Sequence, residues 1–204
     1  MKSPTQTLPT PHPDAQAMSD SLCEAIRQHI QTQGGWISFA DFMQAALYMP
    51  NKGYYSGGNQ KFAQGGDFTT APEMGSLFAE CLANACAQLL SPAQSAILEV
   101  GAGSGKLACD LLKALEQQNR LPDGYYILEI SSELRARQHA RVQQECPHLA
   151  NRVHWLDTLP TAFNGIVVGN EVLDAMPAHL IVWGDEQRFE RGVRSQGSNF
   201  YWQD

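Results

Sequence analysis

Four short apolar runs alternate with stretches of helical periodicity in the second half of this chain. The runs cover residues 96–100, 125–130, 152–157 and 165–169, and apolar residues at helical spacing follow the first two over 104–119 and 131–146. Strands that alternate with helices predict a mostly parallel sheet covered on both faces, the doubly wound α/β fold class. Ligands of such folds bind beyond the carboxyl ends of the strands.

Helical patterns also precede this region. A Ser-x-x-Glu pattern at Ser21 predicts the start of one helix, which the glycines at 34 and 35 end. Ser38 is the predicted N-cap of a second helix, which stops before Pro50. A third helix is expected over 73–90, and its predicted apolar side consists of Leu77, Phe78, Cys81, Leu82 and Ala85.

These patterns divide the chain into three parts. Residues 1–18 are rich in Pro, Thr and Gln and are expected to form a disordered tail. Residues 19–92 are expected to form an N-terminal helical cap with a long glycine-rich loop. Residues 93–204 are expected to form the α/β core, which ends in an insertion of short antiparallel strands at 179–183, 188–193 and 199–202.

Glycines stand at every second position between the first apolar run and its helix, at 101, 103 and 105. Glycine tolerates positive φ and lets a ligand approach the backbone, and the following helix directs free N–H groups at the same place. The spacing fits neither the dinucleotide motif nor the phosphate loop of nucleotidases. The remaining pattern, E-x-G-x-G-x-G from Glu99, resembles the first motif of S-adenosylmethionine-dependent methyltransferases, in which the glycines pass under the methionine end of the cofactor.

Polar residues at the strand ends have roles in a site of that kind. Glu129 can accept hydrogen bonds from both hydroxyls of a ribose, and Asp157 can accept one from an adenine amino group. Glu99 is expected to orient the methionine ammonium, directly or through water, while Ile130 packs on the adenine. The cofactor-binding residues predicted so far are Glu99, Gly101, Ala102, Gly103, Gly105, Glu129, Ile130 and Asp157.

Three further segments carry a more specific resemblance. They read GDFTTAPE at 66–73, GNEVLDAMP at 169–177 and YMPNKGYY at 48–55. With the glycine motif they resemble the MidA family, which contains methyltransferases, including mitochondrial complex I assembly factors that act on a protein arginine. The resemblance implies a Rossmann-like class I methyltransferase core with S-adenosyl-L-methionine as cofactor. It also implies that Gly66 and Asp67 lie in a loop that folds over the methionine part.

The fourth apolar run is followed by Asn170, Glu171 and Asp174. Asn170 is a further expected cofactor contact. Carboxylates suit an arginine substrate, because the forked donors of a guanidinium match carboxylate oxygens two at a time. Glu171 is the first candidate for a catalytic carboxylate, Asp174 the second and Asp67 the third. Asp174 has an alternative interpretation as the cap of a short helix before Pro177.

Composition limits the classes of binding partner and the location that can be expected for this chain. Fourteen basic and 21 acidic residues give a net charge of −7, which disfavours nucleic acid binding. No apolar run approaches the roughly 20 residues of a membrane span, and the first residues lack the features of a secretory or transit signal, so a cytoplasmic location is expected. The five cysteines lack zinc-site spacing; no metal site is predicted, and reduced, mostly buried thiols are expected.

The family resemblance implies a protein substrate, with a respiratory complex I subunit as one candidate, and is compatible with an oligomer. Members of that family continue beyond the length of this chain, which indicates a C-terminally truncated core. Two other functions stay open. One is a catalytically silent binding or assembly module. The other, less favoured because of the glycine spacing, is a nicotinamide-dependent oxidoreductase.

Overall fold

The computed structural model describes residues 11–56, 70–91, 95–185 and 187–204. The helices are α1 (Pro13–Thr32), α2 (Phe39–Tyr48), α3 (Ala71–Met74), α4 (Leu77–Leu89), α5 (Lys106–Gln117) and α6 (Ser132–Glu145). The strands are β1 (Ile37–Ser38), β2 (Ala96–Val100), β3 (Gly124–Leu128), β4 (Val153–Leu156), β5 (Gly165–Gly169), β6 (Leu180–Trp183), β7 (Arg188–Gln196) and β8 (Asn199–Gln203). The chain forms two compact units, one of Met1–Gly58 with Met176–Asp204 and the other of Asn59–Ala175.

The second unit contains the parallel sheet, with strand order β4-β3-β2-β5. Every neighbouring pair is parallel, and Ile97 of β2 lies between Tyr125 of β3 and Ile166 of β5. The four predicted strands and their parallel arrangement are thus confirmed. Because β3 and β5 lie on opposite sides of β2, the order reverses there, and the loops after β2 and β5 meet at the kind of crevice in which α/β folds bind ligands.

Helix α5 supplies most of the core of this unit. Leu107, Leu111, Leu112 and Leu115 are at most 3% exposed, in agreement with the predicted apolar face. They pack with β2 and β3 residues in one buried cluster that includes Tyr125. Burying each leucine stabilises the fold by about 1.5–3 kcal/mol, so this face holds the helix, and with it the preceding loop, against the sheet.

The prediction for the helix over 73–90 was wrong in two respects. The segment is divided near Gly75 into α3 and α4, and the buried residues of α4 are Ala79, Ala83 and Cys86. Of the predicted apolar side, Leu82 packs against the core and is partly buried. Leu77 and Phe78 are 71% and 36% exposed. The buried residues recur at helical spacing as well, and their small side chains let α4 lie close to α5, which the periodicity of the larger residues could not reveal.

The first unit begins with α1, which starts at Pro13 rather than near Ser21. The predicted disordered tail is therefore wrong for residues 13–18, while residues 1–10 lie outside the described ranges. His12 accepts a hydrogen bond from the Asp14 N–H, and proline at the first helical position suits a helix start. The second predicted helix is confirmed, because Ser38 Oγ accepts a hydrogen bond of 3.0 Å from the Asp41 N–H and caps α2.

The same unit contains an antiparallel sheet of β1, β6, β7 and β8. The three C-terminal strands are confirmed, but they belong with the N-terminal helices, so the predicted division at residue 92 does not match the division into units. Strand β1 was not predicted, since it has only two residues and pairs with β7, at Ile37 opposite Val193. All five cysteines are free thiols, of which Cys86, Cys109 and Cys146 are buried and Cys81 is exposed.

Candidate cofactor site

The glycine loop after β2 has left-handed backbone at every second residue. The φ angles of Gly101, Gly103 and Gly105 are +68°, +53° and +79°, values that side chains disfavour. The Gly101 N–H donates to the Leu128 carbonyl over 2.9 Å, and the Gly105 N–H donates to the Ala102 carbonyl over 2.8 Å. The loop is thereby held beside the end of β3, where Glu129 follows.

The loop leads directly into the N-terminus of α5. Gly105 is the N-cap and contributes no side-chain acceptor, while Ser104 Oγ accepts from the Lys106 N–H over 3.3 Å. The Ser104 hydroxyl also donates to the Glu73 carboxylate. The helix therefore presents N–H groups and its positive dipole end to the loop, which favours a negatively charged ligand group. Sequence reasoning missed the Glu73 contact, although Glu73 belongs to the 66–73 motif.

The segment after β5 contacts the glycine loop. A Cβ atom built on Gly101 would lie 3.3 Å from Val172 Cγ2, so the predicted residues Asn170 and Glu171 lie immediately before a point of contact. Glu171 is exposed and has a φ of +51°, a strained conformation for a residue other than glycine or asparagine. Asp174 is exposed and lies inside the 3-10 turn Leu173–Ala175 rather than before it, so it is not the N-cap of that turn.

Glu129 is half-buried directly after β3, and each of its carboxylate oxygens accepts a hydrogen bond. Oε1 accepts from the Ser131 N–H and Oε2 from Gln138 Nε2, each over 3.0 Å. Burial raises the pKa of Glu129, while these two donors, the Ile130 N–H and the charge of Arg135 oppose the rise. Because each carboxylate oxygen can accept about two hydrogen bonds, both retain capacity for ligand hydroxyls.

A buried amide joins Glu129 to the glycine loop. Gln138 of α6 is fully buried, and its Nε2 also donates to the Gly103 carbonyl over 2.9 Å. Its Oε1 accepts from the Trp155 indole over 2.9 Å. Sequence reasoning missed this residue, although a signal was present: Gln138 is the polar member of a buried row with Leu134 and Val142, at four-residue spacing.

Asp157 follows β4 and is exposed, and Arg135 connects it to the site. Arg135 Nη1 donates to Asp157 Oδ1 over 2.7 Å, and Nη2 donates to the Leu156 carbonyl over 2.6 Å. Arg135 Nε is buried and has no hydrogen-bond partner among the described residues. The guanidinium also lowers the pKa of Glu129, so it links the ends of β3 and β4 electrostatically. Ile130, which directly follows Glu129 in the sequence, is 72% exposed and available to an apolar ligand face.

Glu99 lies on β2, two residues before the loop, and is 3% exposed. The Tyr125 hydroxyl donates to Glu99 Oε2 over 2.7 Å. Burial raises the pKa of Glu99 to about 7, the Tyr125 hydrogen bond opposes this rise, and the negative charge of Glu129 adds to it. The Glu99 carboxyl is therefore only partly ionised at neutral pH, and it lies on β2 two residues before the glycine loop.

This raised pKa predicts a pH-dependent stability. The ordinary value is 4.5, so between about 4.5 and 7 the folded protein retains a proton that the unfolded chain has lost. Stability should therefore fall as the pH rises through this window, by up to about 1.4 kcal/mol per pH unit. Glu99→Gln should remove this contribution, measured by urea unfolding from pH 4 to 8. Parallel stability curves for Glu99→Gln and the wild type would contradict the raised pKa of Glu99. Asp185 is exposed, and the control variant Asp185→Asn should keep the pH dependence of the wild type.

Two predicted site residues, Gly66 and Asp67, lie outside the described residues. Within the described ranges, no three His, Cys, Asp or Glu side chains are grouped in a way that could hold a metal ion. None of the helices in those ranges has the length and apolarity needed to cross a membrane.

Known proteins resemble this chain over most of its length. A Burkholderia thailandensis protein, whose crystal structure holds bound S-adenosyl-homocysteine, is 47% identical with a TM-score of 0.86, covering 97% of this chain and 53% of its own. The mitochondrial protein arginine methyltransferase NDUFAF7 homolog of Drosophila melanogaster is 27% identical, and the NDUFAF7 protein of Danio rerio is 29% identical. These two matches cover 88% and 86% of this chain, and 47% of each relative.

The chain thus spans about half the length of the relatives that it matches. Residues 77–204 match the family described as "Putative S-adenosyl-L-methionine-dependent methyltransferase". This match covers more than half of the 204 residues and includes the glycine loop, Glu129 and Glu171. The chain belongs to this family of Rossmann-like methyltransferases, whose cofactor is S-adenosyl-L-methionine.

Proposed function

We propose that this protein binds S-adenosyl-L-methionine at the carboxyl edge of its parallel sheet and methylates an arginine of a protein substrate. The observation that carries the proposal is the link between the glycine loop and Glu129. One side chain, Gln138, contacts the Gly103 carbonyl and the Glu129 carboxylate over 2.9 Å and 3.0 Å. A bare backbone loop and a strand-end acid held this close together suit a nucleoside that bears an amino-acid tail.

Each end of the cofactor has proposed partners. The methionine carboxylate suits the backbone of 101–105 and the N-terminus of α5, and the ammonium suits Glu99. The ribose hydroxyls suit Glu129, and the adenine suits Ile130 and the Asp157 oxygen that Arg135 leaves available. Asn170, with Gly66 and Asp67 of the 66–73 motif, completes the proposed set.

The proposed role of this chain in catalysis is to position the nucleophile. When bound, the cofactor would supply a sulfonium methyl group; its transfer to the guanidinium nitrogen would leave a neutral thioether and release one proton from that nitrogen to water. Glu171 is proposed to bind the guanidinium through two hydrogen bonds, which would direct the remaining nitrogen at the methyl carbon. Asp174 and Asp67 are the second and third residues proposed as catalytic carboxylates. The strained backbone of Glu171 supports its assignment, because strain of this kind collects at functional sites.

The substrate class rests on the relatives, whose names describe them as protein arginine methyltransferases. A subunit of respiratory complex I is the proposed substrate within that class, on the family resemblance of the 66–73 and 169–177 motifs. The net charge of −7 is compatible with a basic protein segment as the partner.

Glu171→Gln tests the proposed chemistry. The variant should bind S-adenosyl-homocysteine within about twofold of the wild type, because Glu171 is not a proposed cofactor contact. Methyl transfer should fall by about 10²-fold, a typical effect of losing one charged group at a reacting centre. Radiolabelled methyl transfer into protein extract, followed by detection of methylarginine, measures the rate, and calorimetry measures the binding.

Exposed Glu133→Gln is the matched control and should change neither value. Equal losses of binding and transfer in Glu171→Gln would contradict the proposed role of Glu171 in positioning the guanidinium. Cofactor binding without any transfer by the wild type would instead favour a catalytically silent module.

A further inference from the structure

Gln138 is the one described side chain that contacts both the glycine loop and Glu129 in the hydrogen bonds above. It lies on α6, outside the sequence motifs described above. The proposed cofactor and substrate contacts do not include it. We propose that Gln138 is a positioning residue for cofactor binding, which fixes the Glu129 carboxylate relative to the Gly103 carbonyl. This inference rests on the proposed function and adds a residue to its site.

The orientation of the amide follows from its third partner. The Trp155 indole N–H can only donate, so the amide oxygen of Gln138 must face it. The amide nitrogen must then face the two acceptors, the Gly103 carbonyl and the Glu129 carboxylate. All three hydrogen bonds are 2.9 or 3.0 Å long, and the side chain is 0% exposed, so water does not compete for these positions.

Packing fixes Gln138 from both sides. A Cβ built on Gly105 would lie 3.1 Å from Gln138 Cγ and 3.2 Å from its Cα, so the glycine loop lies directly against α6. The Trp155 ring stacks on His139, with 3.5 Å between ring centroids, which holds the indole in place. The loop and Glu129 therefore cannot shift independently without breaking a hydrogen bond or a close contact.

The other members of the buried row are apolar, and an apolar residue would fill this position without placing a polar group in the core. Leu134 and Val142 are 8% and 1% exposed and fill the same face of α6. Burying an amide there carries a desolvation cost that its hydrogen bonds must offset. Two of its three partners are groups that the proposed site uses, which indicates a role in holding that site.

The role has a consequence for pH dependence that packing alone would not produce. The groups that act on Glu129 are the Ser131 and Ile130 N–H groups, Gln138 and Arg135, all of which lower its pKa against burial. The Glu99 carboxylate is also close enough to interact with Glu129. Removing the Gln138 donor should raise the pKa of Glu129, so cofactor binding that needs an ionised Glu129 should require a higher pH.

Gln138→Met tests this, since methionine has a similar length and donates no hydrogen bond. Calorimetric titration with S-adenosyl-homocysteine from pH 5 to 9 should show about tenfold weaker binding at neutral pH and an acid limb displaced to higher pH. Gln138→Glu should lose most affinity at high pH, where two carboxylates face each other, and least at low pH, where the new carboxyl can donate. Gln143→Met, on the exposed side of α6, should match the wild type at every pH.

The outcomes separate this inference from the proposed function. A wild type that does not bind S-adenosyl-homocysteine overturns the proposed function. A wild type that binds, with Gln138→Met within twofold of it and with the same pH profile, overturns the role of Gln138 alone. If Gln138→Met does not fold, Trp155→Phe replaces it, because it keeps Gln138 and an aromatic ring at position 155 while removing the indole N–H that orients the amide. Binding several-fold weaker than wild type then supports the inference, and unchanged binding overturns it.

Discussion

Glu129→Ala is expected to weaken the binding of S-adenosyl-homocysteine by on the order of 1–3 kcal/mol, or about 5- to 150-fold. The carboxylate would accept both ribose hydroxyls in a half-buried site, and alanine would leave those hydroxyls without partners. It would also leave Gln138 Nε2 and the Ser131 N–H each short of an acceptor. Isothermal titration calorimetry of the purified protein measures the change.

Two controls define this result. Glu129→Gln keeps the shape of the side chain and one acceptor oxygen, so its loss of affinity should be smaller than that of alanine. Exposed Glu133→Ala, four residues further along, should leave the affinity unchanged. Wild-type affinity in Glu129→Ala would count against the ribose assignment.

Gly105→Ala is expected to lower both the stability of the fold and the affinity for the cofactor. Left-handed backbone costs a residue with a Cβ about 1–2 kcal/mol, and Gly105 has a φ of +79°. The new methyl group would also lie 3.2 Å from the Gln138 Cα, a backbone atom that cannot rotate away. The loop or α6 must therefore shift, and a displaced loop should bind the cofactor at least about tenfold more weakly. Urea unfolding and calorimetry measure the two effects.

Gly197→Ala is the matched control for backbone strain. Gly197 has a φ of +59° in the turn between β7 and β8, and nothing lies within 4 Å of an added Cβ. This variant should lose about 1–2 kcal/mol of stability and keep the full affinity for the cofactor. Equal losses of affinity in the two glycine variants, or none in Gly105→Ala, would show that the close packing of the loop on α6 does not matter for binding.

Local signals made much of the fold predictable. The four strands of the parallel sheet, the buried leucines of α5 and the Ser38 cap of α2 each follow from a pattern within a few residues. The face of α4 could not be predicted in this way, because larger and smaller apolar residues both recur at helical spacing. Ala79 and Ala83 are buried because α4 packs against α5. That packing joins two helices and cannot be recognised from the sequence of α4 alone.

The same distinction applies to the site. The glycine loop and Glu129 were predictable from the glycine spacing and the position after a strand, although their ligand contacts stay predictions. Their supporting partners were not, since Tyr125 reaches Glu99 across 26 residues and Gln138 reaches Gly103 across 35. Pairings at such separations depend on the register of the sheet and on the placement of α6, which no short motif encodes.

One nucleoside site is proposed to join the glycine loop to Glu129. A crystal structure of the protein with bound S-adenosyl-homocysteine tests it most directly. We expect the ribose hydroxyls at about 2.6–3.2 Å from the Glu129 carboxylate and the methionine tail along residues 101–105. A nucleoside bound elsewhere, with Glu129 contacting no part of its sugar, would overturn this site.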